Sequence, residues 1–517
     1  MAALAVVSQF GSIAAASAGG ASASGASASA AHEERTVAYW RRVVDMEAAG
    51  GVAVASTPTA SSDSPPPVVV LRNYIGGAWA SAGDGRVVED VDPATGRVVA
   101  TVPRSGAAEV DAAVAAAVAA GGEWRRTSAT HRAGLLDAIA DAVEAWGPEL
   151  AAMESADSGK TLRMASNVDI PRTVANFRFF AGALRHDETP AHAMHDAINY
   201  AVREPLGVAG LISPWNLPLY LLSWKVAPAL ACGNTVVAKP SEITPRTATA
   251  LAAIIAAAGV PPGVFNLVHG LGGEAGAALV AHPDVPLISF TGGTATGKVV
   301  AAAAAPLFKK VSLELGGKNA TVVFDSADLD AAVAGAARAA FTNNGQVCLA
   351  GSRVFVQAGI APAFLPRFLA AVRRMVCGDP ASLASDVGPV SSAAHLAKIR
   401  SYLDLAASEG GVVACGGGAP AALAGTRFEG GYFLEPTVIT GLPHTSRVST
   451  EEIFGPVCTV HTFDTEDEVV GAVNAIRYGL AGSLSTTDLT QAHRVARRIH
   501  SGILWVNCWL HRCVSGV

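Results

Sequence analysis

The sequence predicts an α/β protein with parallel strands at its centre, on three observations. Between residues 208 and 315, short apolar runs alternate with helical stretches of about 10 to 15 residues, the pattern of βαβ units. The 53 glycines and a high alanine content, with only 6% aromatic residues, suit helices that pack closely on a sheet. The length of 517 residues is about two to four times that of an ordinary domain, so two or more domains are expected, each with its own core.

Residues 1 to 32 carry no charge and run as Ala/Ser/Gly repeats such as Ser17-Ala18-Gly19-Gly20. Such a tract cannot bury enough apolar surface to offset chain entropy, so residues 1–69 read as a low-complexity, disordered leader. A Ser/Ala-rich, acid-poor start also suits an organelle transit peptide, although the first arginine is Arg35, and Met46 is an alternative start. From Val68 the folded pattern begins. Val68 to Leu71 and Tyr74-Ile75, around Gly76-Gly77, suggest a strand and a turn, and helices follow over 107–120, over 129–146 and through Met153. Then come a strand over 208–212, a helix over 217–231, a strand over 235–238 and a helix over 245–258 with Thr244 as N-cap and Pro245 at its first position. A strand over 264–268, a helix over 273–282, a strand over 287–290, a helix over 297–304 and a strand over 310–315 complete the alternation. In such sheets ligands bind beyond the carboxyl ends of the strands.

Polar groups gather where these strands end. After the first comes Ser213-Pro214-Trp215-Asn216, in which Asn216 reads either as a turn and N-cap residue or as an amide donor to a developing oxyanion. After the second come Lys239 and Glu242, either solvated charges or ligands of a ribose; a carboxylate there accepts both ribose hydroxyls and repels a 2'-phosphate. The third ends in Phe290-Thr291-Gly292-Gly293-Thr294-Ala295-Thr296-Gly297, a glycine-rich turn into a helix, with Thr294 where the usual dinucleotide fingerprint has its second glycine. The fourth carries Glu314 between two leucines; on a buried strand its pKa would rise and suit it to general-base work, unless it simply pairs with Lys318. Cys348 follows Asn343-Asn344-Gly345-Gln346-Val347, a turn expected to open a helix whose amides would favour a thiolate able to attack a carbonyl. The other six cysteines read as packing residues.

Taken together, these segments resemble the NAD(P)-dependent aldehyde dehydrogenase superfamily, with Pro214 to Asn216, Lys239 to Glu242, Phe290 to Gly297, Glu314 to Lys318, Gly345 to Cys348 and Glu451 to Pro456 in the family's order. The resemblance covers roughly residues 70 to 510. It implies that Cys348 is the nucleophile, Glu314 the base for the deacylating water, and Asn216 with the Cys348 amide the oxyanion hole. It also implies an NAD site: Lys239 and Glu242 at the adenosine ribose, Gly292, Gly293, Thr294 and Gly297 near the pyrophosphate, Glu452 and Phe454 at the nicotinamide ribose, and Trp215 beside them. The fold implied is a Rossmann-type NAD domain over 70–182 and 206–317, an oligomerisation hairpin over 183–205, and an α/β catalytic domain over 318–517.

Asp169-Ile170-Pro171-Arg172 and Trp505 to Arg512 further resemble the branch that oxidises 2-aminomuconate and 2-hydroxymuconate semialdehydes, in which Arg172 and Arg512 match the arginines that bind the substrate carboxylate. One departure stands out: after Asn507-Cys508-Trp509 the family continues into a Pro-Phe-Gly-Gly turn and a closing strand, whereas this sequence ends at Val517. A C-terminally truncated, inactive NAD-binding homologue, or an interaction partner of a full-length enzyme, is therefore the alternative to an active enzyme.

Composition supports a small-molecule enzyme. A net charge of -6 with 15% charged residues argues against a nucleic-acid-binding or polybasic membrane protein. Seven scattered cysteines have no metal-ligand spacing and suit a reducing, cytoplasmic compartment, with an organelle as the alternative if the leader is a transit peptide. No apolar run reaches the length of a bilayer-spanning helix. No metal is expected; a homo-oligomer is.

Overall fold

The computed structural model describes residues 68–511. All but the end of the expected leader, and Arg512, lie outside that range. Two seven-stranded sheets organise the chain. In the first, the edge-to-edge order is Lys310–Glu314, Leu287–Thr291, Val208–Ile212, Thr235–Lys239, Phe265–Leu267, Asn73–Ile75 and Ala78–Ala80. Its first five strands are parallel, and the last two form an antiparallel edge. Val208–Ile212 and Thr235–Lys239 are buried throughout, as expected for parallel strands covered on both faces.

The second sheet has the order Val412–Cys415, Thr437–Thr440, Val457–Phe463, Arg353–Gln357, Ala320–Val323, Ala481–Ser485 and Ile503–Val506. Only its first pair is antiparallel. A three-stranded sheet of Val69–Val70, Arg97–Pro103 and Val87–Asp92 was not foreseen, although its turn signal is legible: Asp92 Oδ1 accepts from the Ala94 amide at 2.8 Å, and Gly96 closes the turn at φ 70°. The hairpin Ala191–Ala193 with Ile198–Tyr200 stands alone and fully exposed, inside the segment expected to mediate assembly.

Several expected boundaries move. The helix Arg246–Ala257 is capped by Pro245, not Thr244, whose buried hydroxyl has no hydrogen-bond partner. The expected helix over 273–282 is a wide π-type turn, Gly272–Gly276, followed by the short helix Ala277–Ala281, because the glycine pair at 272 and 273 makes a poor helix start.

A buried ionic cluster fastens this scaffold behind the strand ends. Lys160 Nζ lies 2.6 Å from Asp169 Oδ2 and 3.5 Å from Glu154 Oε1, and all three side chains are fully buried. Glu154 also accepts from the Leu219 amide at 3.1 Å and the Thr247 hydroxyl at 2.6 Å, which ties Gly147–Ser158 to the starts of two further helices. Removing one partner of a buried ion pair leaves an uncompensated charge at a cost of about 3–5 kcal/mol. Lys160→Ala is therefore expected to lower the urea midpoint by that much stability; a loss below about 1 kcal/mol would mean the carboxylates find other compensation.

Candidate active site

Strand register brings the predicted polar groups to one end of the first sheet. Ile212 pairs with Lys239 and with Phe290, and Thr291 pairs with Glu314, so the segments that follow these strands lie side by side. Asn216 is buried, and its Nδ2 donates to the carbonyl of Gln346 at 2.9 Å, which joins the first sheet's strand end to the loop that carries Cys348. Asn319 Nδ2 holds the Cys348 carbonyl at 2.7 Å and that of Ala350 at 3.0 Å. Gly317, three residues beyond Glu314, packs so closely that a Cβ there would stand 2.5 Å from the Cys348 carbonyl oxygen. Trp509 Nε1 donates to the Leu349 carbonyl at 3.0 Å, so the final described segment also clamps this loop.

Cys348 itself is half-buried and does not open a helix. It sits in a turn between the tight segment Thr342–Gly345 and the strand Arg353–Gln357. Asn343, Asn344 and Gly345 take left-handed φ values of 54°, 58° and 69°, which end the preceding helix Leu329–Phe341 and prevent another from starting. The expected helix dipole at Cys348 is thus absent.

Glu314 also departs from expectation. Lys310–Glu314 is the edge strand of its sheet and mostly exposed, so Glu314 faces water rather than a desolvated interior. It does not pair with Lys318, whose buried Nζ has no hydrogen-bond partner. Burial pushes the Lys318 pKa down to about 7, and Arg353 pushes in the same direction.

The expected cofactor residues line the same end of the sheet. Thr294 opens the helix Thr294–Ala304 with a buried hydroxyl that has no partner, and Gly293 before it is exposed, with open space where a Cβ would stand. At Gly297 a Cβ would meet Leu315 at 2.4 Å, so only glycine lets this helix sit so close to the strand end. Lys239 is buried; its Nζ donates to the Pro240 carbonyl at 2.5 Å and lies 3.4 Å from Glu242 Oε2. Burial lowers the Lys239 pKa and Glu242 opposes the shift. Glu452 Oε1 accepts from the Gly317 amide at 2.8 Å, and burial raises its pKa. Phe454, at φ 65°, meets Trp215 edge-on at 5.3 Å. An open glycine turn at a helix start, an orphaned hydroxyl, two separated carboxylates and an aromatic wall fit a dinucleotide.

Four site residues escaped the sequence reading. Lys225 is buried, and its Nζ donates to Ser289 Oγ at 3.0 Å; burial lowers its pKa to about 8 while Glu314 pulls it upward. It is the one charge in the apolar helix Pro218–Ala231, a signal the sequence did carry. His395 Nε2 donates to the Phe454 carbonyl at 2.6 Å, and burial lowers its pKa to about 4, leaving it neutral. No local pattern marks His395, and none marks Asn319 or Asn343. Arg172, in the first turn of Ile170–Arg185, lies half-buried with its Cζ 5.8 Å from the ring centroid of Tyr220, four residues beyond Asn216.

Comparison with known proteins identifies the family. Residues 79–516 match the aldehyde dehydrogenase family. The 2-aminomuconic semialdehyde dehydrogenase of Danio rerio is 48% identical over 446 residues, which cover 86% of this chain and 91% of the relative. The 2-hydroxymuconic semialdehyde dehydrogenase of Pseudomonas sp. (strain CF600) is 48% identical over 449 residues, 86% of this chain and 92% of the relative. Among solved structures, PnpE of Pseudomonas sp. WBC-3 superposes with a TM-score of 0.83 at 41% identity, over 85% of this chain and 90% of its own. PnpE in complex with nicotinamide adenine dinucleotide gives the same score and identity over 86% and 90%. The chain therefore belongs to the aldehyde dehydrogenase family and is an NAD-dependent oxidoreductase acting on an aldehyde.

Proposed function

We propose that this enzyme oxidises a carboxylated semialdehyde, of the 2-aminomuconate or 2-hydroxymuconate kind, to the corresponding dicarboxylic acid. The observation that carries the chemistry is the bond from Asn216 Nδ2 to the Gln346 carbonyl, which leaves the second N–H of that amide for a group bound at Cys348, two residues on. Cys348 adds as its thiolate to the aldehyde carbon, and the carbonyl oxygen becomes an oxyanion held by Asn216 Nδ2 and the Cys348 backbone amide. Bound NAD supplies the hydride acceptor. Loss of hydride from the thiohemiacetal carbon leaves a thioester on Cys348. Glu314, exposed at the end of an edge strand, takes a proton from water; the water oxygen adds to the thioester carbon, and Cys348 departs as thiolate.

Lys239 and Glu242 hold the adenosine ribose, and the Glu242 carboxylate disfavours a 2'-phosphate. Gly292, Gly293, Thr294 and Gly297 receive the diphosphate, and Glu452, Phe454 and Trp215 enclose the nicotinamide end. Arg172 binds the distal carboxylate of the substrate, supported by its seat over Tyr220 and by the two semialdehyde-oxidising relatives. Arg512, outside the described residues, shares that role. A charge-assisted hydrogen bond of about 1.5–3 kcal/mol corresponds to roughly a 10- to 100-fold change in binding. Arg172→Ala should therefore raise KM by that factor for 2-hydroxymuconate semialdehyde and leave KM for a neutral aldehyde such as hexanal unchanged; equal effects on both would remove the carboxylate site.

The same reading extends to assembly and compartment. The exposed Met194, Ile198, Tyr200 and Val202 on and beside the hairpin support a homo-oligomer. Thiols at Cys232, Cys377, Cys415, Cys458 and Cys508 support a reducing cytoplasm. Among the described residues no helix is long and apolar enough to cross a membrane.

A further inference from the structure

We infer that Asn343 is a positioning residue for the oxyanion hole, because its buried amide joins the two chain segments that supply the hole's donors. The inference rests on the assignment of Cys348 as nucleophile and Asn216 as oxyanion donor. Asn343 Nδ2 donates to the Asn216 carbonyl at 3.0 Å and to the Gln346 carbonyl at 3.1 Å. Asn216 Nδ2 donates to that same Gln346 carbonyl at 2.9 Å. The Gln346 oxygen thus accepts two amides, which occupy both of its lone pairs, and Asn343 uses both of its N–H groups. Asn343 Oδ1 is buried without a hydrogen-bond partner, so the side chain is held through its nitrogen alone. The reversed amide orientation would point that oxygen at two carbonyl oxygens, so the network sets the orientation.

The opposite side of the loop is fastened separately. Asn344 Nδ2 donates to the Pro389 carbonyl at 2.7 Å, its Oδ1 accepts from the Gly388 amide at 2.9 Å, and Gln346 Oε1 accepts from the Ser391 amide at 3.0 Å. At Gly345 a Cβ would stand 2.0 Å from the Gly455 carbonyl oxygen. These contacts seat the loop on the segment 388–391 and on Gly455, whereas Asn343 alone among the three side chains reaches across to Asn216. Without it the loop keeps its seat, but the Asn216 carbonyl loses its donor and the Asn216 amide loses its register with Cys348. A misplacement of about 1 Å at a reacting group costs on the order of 100-fold in rate.

The left-handed φ of 54° at Asn343 offers a purely structural explanation, since asparagine tolerates that conformation. Asn343→Gly separates the two, because glycine adopts the same backbone freely but carries no amide. The purified variant is assayed for kcat and KM with its aldehyde, for the rate of Cys348 alkylation by iodoacetamide, and in a cycle with Asn216→Ala. The expected result is a kcat lower by about 10- to 100-fold, an unchanged KM, alkylation at the unmodified rate, and little further loss when Asn343→Gly is added to Asn216→Ala. Unchanged kcat, a parallel fall in alkylation, or full additivity with Asn216→Ala would each overturn the inference. Should the glycine variant not fold, Asn343→Asp, which keeps the size and replaces both N–H donors with an acceptor oxygen facing two carbonyls, is read in the same way. Failure of the underlying assignment is distinguishable, because Asn216→Ala alone would then turn over normally.

Discussion

Cys348→Ala is expected to lower NADH formation from any aldehyde by more than about 10⁴-fold, since a nucleophile that acts within a catalytic unit contributes nearly all of that unit's rate. Of the other described cysteines, Cys415 and Cys458 are buried, and burial pushes the Cys377 thiol up to about 12, far from a thiolate at neutral pH. The loop should survive the change, because it is held by the Gln346, Leu349 and Cys348 carbonyls through Asn216, Trp509 and Asn319, none of which uses the sulfur. NAD affinity, followed by calorimetric titration, should therefore stay within about twofold, a change of less than 0.5 kcal/mol. A variant that retains aldehyde turnover would sink the nucleophile assignment, whereas lost NAD binding would show that the loop had collapsed.

Glu314→Gln tests the second half of the cycle. Removal of a general base typically costs about 10²- to 10⁴-fold, and here the loss should fall on hydrolysis of the thioester. Steady-state turnover is expected to drop by that factor while the first turnover still releases about one NADH per subunit in a burst. Mass spectrometry of the peptide containing Cys348 should then show the acyl adduct. The exposure of Glu314 favours this assignment over an initial proton abstraction from the thiol, because an edge-strand carboxylate has water at hand. Loss of the burst would place Glu314 before hydride transfer; unchanged steady-state turnover would remove it from the mechanism.

Much of the architecture was legible because its cause is local. Alternating apolar runs and helices dictate parallel pairing, and the expected strands from Val208 to Glu314 occur within a residue or two of their predicted bounds. The gathering of Asn216, Lys239, Gly292 and Glu314 at one sheet end follows from the same periodicity, since every βαβ unit returns its strand in the same direction. The hairpin-like pair Val87–Asp92 and Arg97–Pro103 was missed because its residues half-expose and its apolar pattern is weak.

What the sequence by itself determined is the fold class, the family and the chemical types at each strand end, because these depend on residue identity and short-range spacing. Only the tertiary structure decided their surroundings. Strand order places Glu314 on an exposed edge, and no periodicity encodes which strand lies outermost. Contacts over 130 residues in sequence bring Asn216 to Gln346, and a left-handed run at Asn343, Asn344 and Gly345 holds Cys348 in a turn rather than at a helix start. Such placements come from close packing of distant segments, so the physical origin of reactivity at this site lies in contacts that no local window contains.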